Sequence, residues 1–94
     1  MPAMLIRHKV ADECAWQPVF AENRIARRAN GCGQERVFRN ADDPRELVIL
    51  LEWDDLERAR LYADSDDLRL ALRRARVIGD ATIEFLEDVE GSSG

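Results

Sequence analysis

Apolar and polar residues alternate along four stretches of the chain, and they follow a helical spacing along three others. Alternation with a period of two predicts a strand, whereas apolar residues three or four apart predict a helix with one buried face. The predicted strands cover residues 4–10, 34–39, 46–53 and 82–89. The predicted helices cover residues 13–29, a short segment ending near residue 63, and residues 67–77.

Turn and capping residues separate these elements. Asp12 can cap the first helix, either Asp54 or Asp55 can cap the second, and residues 79–80 (GD) are expected to turn the chain into the last strand. The order β-α-β-β-α-α-β is that of the ferredoxin-like fold, an α+β fold. Its sheet is four-stranded and antiparallel, with the first and third strands in the middle. Residues 1–90 are expected to form this single domain, and residues 91–94 a polar tail.

The third predicted strand is apolar on both of its faces, since residues 47–51 read LVILL. Helices of one chain can cover only one face of the sheet, and Phe38 and Leu86 are expected to add apolar surface to the other. An uncovered apolar face of this kind marks an interface. The sequence therefore predicts a homodimer formed through the sheet face, and it leaves open whether Val48 and Leu50 or Ile49 and Leu51 lie there.

Composition narrows the class of protein. The 94 residues are 46% hydrophobic and 35% charged, which excludes intrinsic disorder. A net charge of -5 argues against nucleic-acid binding. No apolar run reaches the ~20 residues of a membrane span, and the first residues lack the charged start of a secretory signal. A cytoplasmic location without a membrane partner is expected.

Candidate chemistry comes from polar residues on faces that should be apolar. Trp16, Val19 and Phe20 define the buried stripe of the first helix, and Asn23 and Arg27 continue that stripe. Either these two side chains line a cavity, or the stripe leaves the core after Phe20 and Arg27 reaches solvent. An inward guanidinium needs a carboxylate, a carbonyl or a bound anion, and Glu52 and Glu84 are candidate carboxylates.

The only histidine, His8, shares a strand face with Met4, Ile6 and Val10. If that face meets the helices, His8 lies near Asn23 and Arg27, where its imidazole could transfer protons near neutral pH. The alternative is a structural or half-exposed histidine. Tyr62 could likewise offer its hydroxyl to a ligand or close the edge of the core.

Metal and redox chemistry find little support in the sequence. The acidic clusters lie at turns and helix starts, where free backbone N–H groups stabilise carboxylates, and none has the spacing of a calcium loop. Cys14 lies in a first helical turn, which can lower a thiol pKa, but no resolving cysteine is nearby. The two cysteines are also too few for a disulfide framework or a cysteine-rich zinc site. No metal and no cofactor are expected.

Several segments together resemble the antibiotic biosynthesis monooxygenase-like family across about residues 4–89. They are RHKVAD at 7–12, WQPVF at 16–20, VFRNADDP at 37–44, VILLEWDDLERAR at 48–60, SDDL at 65–68 and FLE at 85–87. The resemblance implies a dimeric α/β barrel of ferredoxin-like subunits, each with a small-molecule pocket between sheet and helices.

Members of this family include cofactor-independent monooxygenases, haem-degrading enzymes and proteins of no known activity. The chain departs from the haem-degrading pattern, because Tyr62 stands where those members have a tryptophan and Leu72 or Arg73 where they have a histidine. The resemblance therefore implies a monooxygenase-like protein acting on an aromatic or polyketide-type substrate. The expected catalytic residues are His8 and Arg27, and the expected ligand-binding residues are Trp16, Phe20, Asn23 and Tyr62. The alternatives are a non-catalytic ligand-binding or stress-associated protein and a pure dimerisation module.

Overall fold

A computed structural model describes residues 1–89 as one four-stranded antiparallel sheet with four helices. The strands are β1 (Ala3–Val10), β2 (Cys32–Asn40), β3 (Asp43–Trp53) and β4 (Val77–Leu86). The helices are α1 (Glu13–Glu22), α2 (Arg24–Ala29), α3 (Leu56–Ala63) and α4 (Asp66–Arg74). The strand order β2-β3-β1-β4 places β1 and β3 in the middle. The α+β ferredoxin-like fold is confirmed; Glu90 and the tail at 91–94 lie outside the described residues.

Alternation along the central strands decides which face of the sheet meets the helices. On β1, Met4, Ile6, His8 and Val10 are buried, and the residues between them are more exposed. On β3 the buried residues are Leu47, Ile49, Leu51 and Trp53. These eight side chains meet the helices and form the centre of the core, so His8 lies between the sheet and the helix layer.

The opposite face of the sheet carries Val48 and Leu50, which answers the question that the sequence left open. Leu5 pairs with Leu50, and Phe38 pairs with Val48, so these four apolar side chains share this face. Leu86, opposite Ala3, extends the patch toward β4. Phe38 and Leu86 are 42% and 39% exposed. We call these five residues the open-face patch.

The predicted helix over 13–29 is broken in two, which corrects the sequence interpretation. Asn23 ends α1 and begins α2, and its side-chain Nδ2 donates to the Val19 carbonyl at 2.8 Å. An asparagine side chain that bonds to the backbone one turn earlier competes with regular helical bonding. The break places Asn23 beside the cavity described below.

The last strand begins at Val77, five residues before the position that the sequence pattern predicts, and α4 ends at Arg74. The turn into β4 is made at Arg76, whose φ is 57°. Gly79 and Asp80 do not turn the chain. They lie where the register of β4 shifts against β1, between the pairs Arg7–Thr82 and Lys9–Ile78. Gly79, with φ of 70°, supplies the positive φ of this bulge.

Candidate functional site

A small cavity of about 40 Å³ lies between the sheet and the four helices. Its aliphatic walls come from Ile6, Ile49, Leu51 and Leu72. All six site residues predicted from the sequence line it: His8, Trp16, Phe20, Asn23, Arg27 and Tyr62. The structure therefore brings together one imidazole, one guanidinium, one amide, one phenol and two aromatic rings in an otherwise apolar space.

His8 is 2% exposed, and neither ring nitrogen has a hydrogen-bond partner among residues 1–89. The ring lies 6.1 Å from that of Trp16, measured between centroids. Burial lowers the pKa of His8, because it disfavours the charged imidazolium. The imidazole is therefore neutral at pH 7, with one nitrogen available as a donor and the other as an acceptor. Buried polar atoms usually have partners, so an unpartnered pair facing a cavity favours a ligand site.

Arg27 is as buried as His8, at 2% exposed, and is held on three sides. Its Nε donates to Glu35 Oε2 at 2.5 Å, and its Nη2 donates to the Phe20 carbonyl at 3.0 Å. The guanidinium carbon lies 4.0 Å from the centroid of the Phe20 ring. The Arg27 side chain therefore points into the core, and the alternative in which it reaches solvent is wrong.

The carboxylate that meets Arg27 is Glu35, so the candidates Glu52 and Glu84 are both wrong. Glu52 and Glu84 lie on the other face of the sheet, opposite Ala3 and Leu5. Glu35 pairs with the buried Leu51 and so lies on the helix face. Its second oxygen accepts a bond from Arg24 Nε at 3.0 Å. Burial alone would raise the pKa of Glu35, but the bonds from Arg27 and Arg24 outweigh it and lower that pKa.

Glu35 is not among the residues predicted from the sequence, because a glutamate on a largely polar strand is ordinarily exposed to solvent. The usable signal was its position: Glu35 is two residues before Val37, so period-two alternation places both on one face. A carboxylate on the helix face of a strand, opposite an inward arginine, is the expected partner of that arginine.

Asn23 and Tyr62 complete the polar lining. One of the two Asn23 amide N–H groups is used at the helix break, which leaves the second N–H as a donor and the carbonyl oxygen as an acceptor. Burial raises the pKa of Tyr62, and the nearby Arg27 guanidinium opposes part of that rise. Tyr62 also lies against Trp53, with ring centroids 5.2 Å apart. Its hydroxyl is thus a neutral group beside the Arg27 cation.

The two cysteines lie outside this cavity. Cys14 is exposed, and Cys32 is buried next to Glu35. Burial, followed by the Glu35 charge, raises the pKa of Cys32 to about 11. A thiol that stays protonated at neutral pH is a poor nucleophile. Among residues 1–89, no group of three or more His, Cys, Asp or Glu side chains is placed to hold a metal ion.

Comparison with known protein families supplies the decisive observation. The family model for antibiotic biosynthesis monooxygenase matches residues 5–74, which is most of the chain. The chain belongs to the antibiotic biosynthesis monooxygenase family. The match covers most of β1, both halves of the broken helix, the β2–β3 hairpin, α3 and α4, so all six predicted site residues lie within it.

Solved structures share the fold over nearly the whole chain. A provisional antibiotic biosynthesis monooxygenase from Bordetella bronchiseptica is 15% identical with a TM-score of 0.79, covering 95% of this chain and 97% of that one. SnoaB, a cofactor-independent oxygenase from Streptomyces nogalater, is 15% identical with a TM-score of 0.75, covering 99% and 97%. A provisional family member from Deinococcus radiodurans is 21% identical with a TM-score of 0.73, covering 97% and 95%. At these identities the likeness shows the fold alone.

Curated relatives and membrane spans were the two remaining sources of functional information. Comparison with curated protein sequences finds no match. Within residues 1–89, no helix has the length and apolar character needed to cross a membrane.

Proposed function

We propose that this family member is a cofactor-independent oxygenase that acts on an electron-rich aromatic substrate of the polyketide type. The observation that carries the proposal is His8, a neutral buried imidazole whose ring nitrogens have no partner among residues 1–89, facing a cavity lined by Trp16 and Phe20. A base in such a place can take a proton from a phenol or an activated methylene, and the resulting carbanion reacts directly with dioxygen. The fold shared with SnoaB supports the same reaction class.

The cavity residues divide the reaction between them. His8 accepts a proton from the substrate carbon, dioxygen forms a bond to the resulting carbanion, and the peroxide anion takes the proton back from His8 to become a hydroperoxide. His8 then removes the second hydrogen of that carbon as the O–O bond breaks, and the departing hydroxide takes this proton and leaves as water. One oxygen atom becomes a new carbonyl and the other leaves as water, so the substrate supplies all the electrons. Arg27 stabilises the developing phenolate or peroxide, and the Asn23 carbonyl oxygen orients the substrate.

The size of the cavity favours a second candidate, a non-catalytic ligand-binding or stress-associated protein. Small-molecule sites usually have volumes of about 300–1,000 Å³. The cavity holds about 40 Å³, so a polyketide-sized substrate requires its aromatic walls to move. A protein that only binds a small ligand, or that uses the cavity only for packing, has no such requirement.

We also propose that the protein is a homodimer in which the open-face patch of one chain covers that of its partner. A second sheet packed at about 10 Å is the usual cover for such a face. The arrangement leaves the cavity untouched, because the cavity lies on the helix side of the sheet.

Oxygenation is tested with dithranol, a tricyclic hydroxyanthrone, under isotopically labelled dioxygen. The proposal expects product formation above the rate without protein, with one labelled oxygen atom in the new carbonyl. His8→Gln keeps a hydrogen-bonding side chain but cannot exchange a proton near neutral pH. It should lose about 100-fold or more of the protein-dependent rate, the usual contribution of a general base.

Lys9→Gln is the matched control, since Lys9 is the next residue but is exposed on the opposite face of β1. It should leave the rate unchanged. A wild-type rate equal to the background reaction would reject catalysis on this substrate class, and saturable dithranol binding without turnover would then select the ligand-binding candidate.

A further inference from the structure

A second, larger opening lies on the other side of Trp16 and Phe20. It is a groove of about 490 Å³ between α1 and the helix side of β2 and β3. The apolar Val37 and Leu47 and the basic Arg24 and Arg39 are among the residues that line it. Trp16 and Phe20 line both the groove and the cavity, and their rings stack with centroids 4.9 Å apart and an interplanar angle of 13°. The stacked pair is therefore the wall between the two spaces.

The charges at this wall are unbalanced. Arg24 and Arg27 both donate to Glu35, so two positive charges share one negative charge. Arg39, which also lines the groove, is paired with Glu13 and adds no net charge. Arg24 uses its Nε for Glu35, and within residues 1–89 its two terminal nitrogens have no hydrogen-bond partner; its side chain is 45% exposed. One uncompensated positive charge thus faces the groove beside the Phe20 ring.

We propose that the groove binds an aromatic anion, with the ring against Phe20 and Trp16 and the acidic group on Arg24. The groove volume is in the range of known small-molecule sites, whereas the cavity alone is far below it. A guanidinium with two free N–H groups can hold a carboxylate, sulfonate or phenolate in a two-point contact. The inference rests on the proposed function and extends it, because it makes an acidic aromatic compound the ligand class and the groove its entry to His8.

Two fluorescent probes with the same rings separate charge from ring binding: anilinonaphthalene sulfonate is anionic, and N-phenylnaphthylamine is neutral. Titration into the wild-type protein should show saturable binding of both, with the anion bound more tightly. Arg24→Gln leaves the neutral Arg27–Glu35 pair in place and should weaken sulfonate binding about tenfold while leaving the neutral probe unchanged. Val37→Ala should weaken both probes, which locates them in the groove, because Val37 lines the groove and not the cavity.

Arg28→Gln is the matched control. Arg28 is exposed on the same short helix, and its substitution removes the same charge. It should leave both probes unaffected, with circular dichroism confirming that every variant is folded. Equal loss of the two probes in Arg24→Gln, an equal loss of the sulfonate in Arg28→Gln, or no saturable sulfonate binding would each overturn the proposal. Dithranol turnover is measured separately, so oxygenation with no preference for the anion would reject this inference and keep the proposed function.

Discussion

At the scale of single residues, the buried pair of Arg27 and Glu35 organises the candidate site. The exposed fractions of the two side chains are 2% and 7%, so neither charge is compensated by solvent. Removing one partner from a buried ion pair leaves the other uncompensated, which costs far more than losing a surface pair. The pair therefore fixes the Arg27 guanidinium against the cavity wall even without a ligand.

Glu35→Gln tests this role. The change keeps the shape of the side chain but removes the charge, so the free energy of unfolding should fall by about 3 kcal/mol. Urea unfolding monitored by circular dichroism measures the difference. Glu87→Gln, at an exposed residue just after β4, is the control, and it should change stability by no more than about 0.5 kcal/mol. Equal effects of the two changes would mean that the pair contributes nothing beyond a surface contact.

His8 gives the stability a defined pH dependence. Its pKa is lowered in the folded state by burial, so below the unfolded-state value of 6.5 the unfolded chain binds more protons than the folded one. The contribution of His8 to the free energy of unfolding is then fully present above about pH 6.5. It falls as the pH drops toward the folded-state pKa, by at most about 1.4 kcal/mol per pH unit. Glu35 affects the stability at lower pH. Because its pKa is lowered in the folded state, its contribution to the free energy of unfolding is lost only below about pH 4.5.

The His8→Phe variant should abolish the dependence between pH 7 and pH 5. Phenylalanine has a similar shape and no nitrogens to leave unpartnered, so at pH 7 the variant should be about as stable as the parent protein. Thermal melts across this pH range, with wild type and variant side by side, provide the measurement. An unchanged slope in the variant would assign the pH dependence to another group.

At the scale of elements, the local residue pattern predicted the faces of strands and helices better than the positions where they break or bend. Alternation on β1 and the apolar spacing of α1 were enough to place His8, Trp16, Asn23 and Arg27 around one space. The break at Asn23 and the bulge at Gly79 were not predicted. Each residue type occurs in more than one kind of local structure, and tertiary packing decides which one forms. A glycine with positive φ serves a bulge as well as a turn, and composition alone does not separate the two.

The junction between α4 and β4 provides a test at this scale. Arg76 adopts a left-handed conformation, which costs a non-glycine residue about 1–2 kcal/mol. Arg76→Gly should remove that cost and, after the entropy lost by glycine, stabilise the protein by about 0.5–1 kcal/mol. The same substitution at Arg73, which is helical, should destabilise it. Denaturant midpoints that shift in the same direction for both variants would contradict the assignment of strain to Arg76.

At the scale of the whole molecule, the sheet separates two kinds of surface on its two faces. The helix face carries the cavity and the groove, and the opposite face carries the open-face patch. The sequence predicted that a second face would be apolar, because residues 47–51 are apolar throughout. It could not say which residues lie there, because a run without alternation carries no information about register, and the pairing of β3 with β1 supplies it.

The homodimer is tested by placing a charge in the centre of that patch. Leu50 lies on β3 opposite Leu5, so Leu50→Lys would bury an ammonium group against the partner sheet with no carboxylate assigned to it. Light scattering at micromolar concentration should give about 22 kDa for the wild type, twice the 10.8 kDa of one chain, and about 11 kDa for the variant. Leu70→Lys is the control, since Leu70 is 55% exposed on α4, and it should remain at the wild-type mass. A wild-type protein of about 11 kDa would show that the open-face patch is not covered by a second copy. Dissociation by both variants would instead show that the effect of the added charge is not specific to the open-face patch.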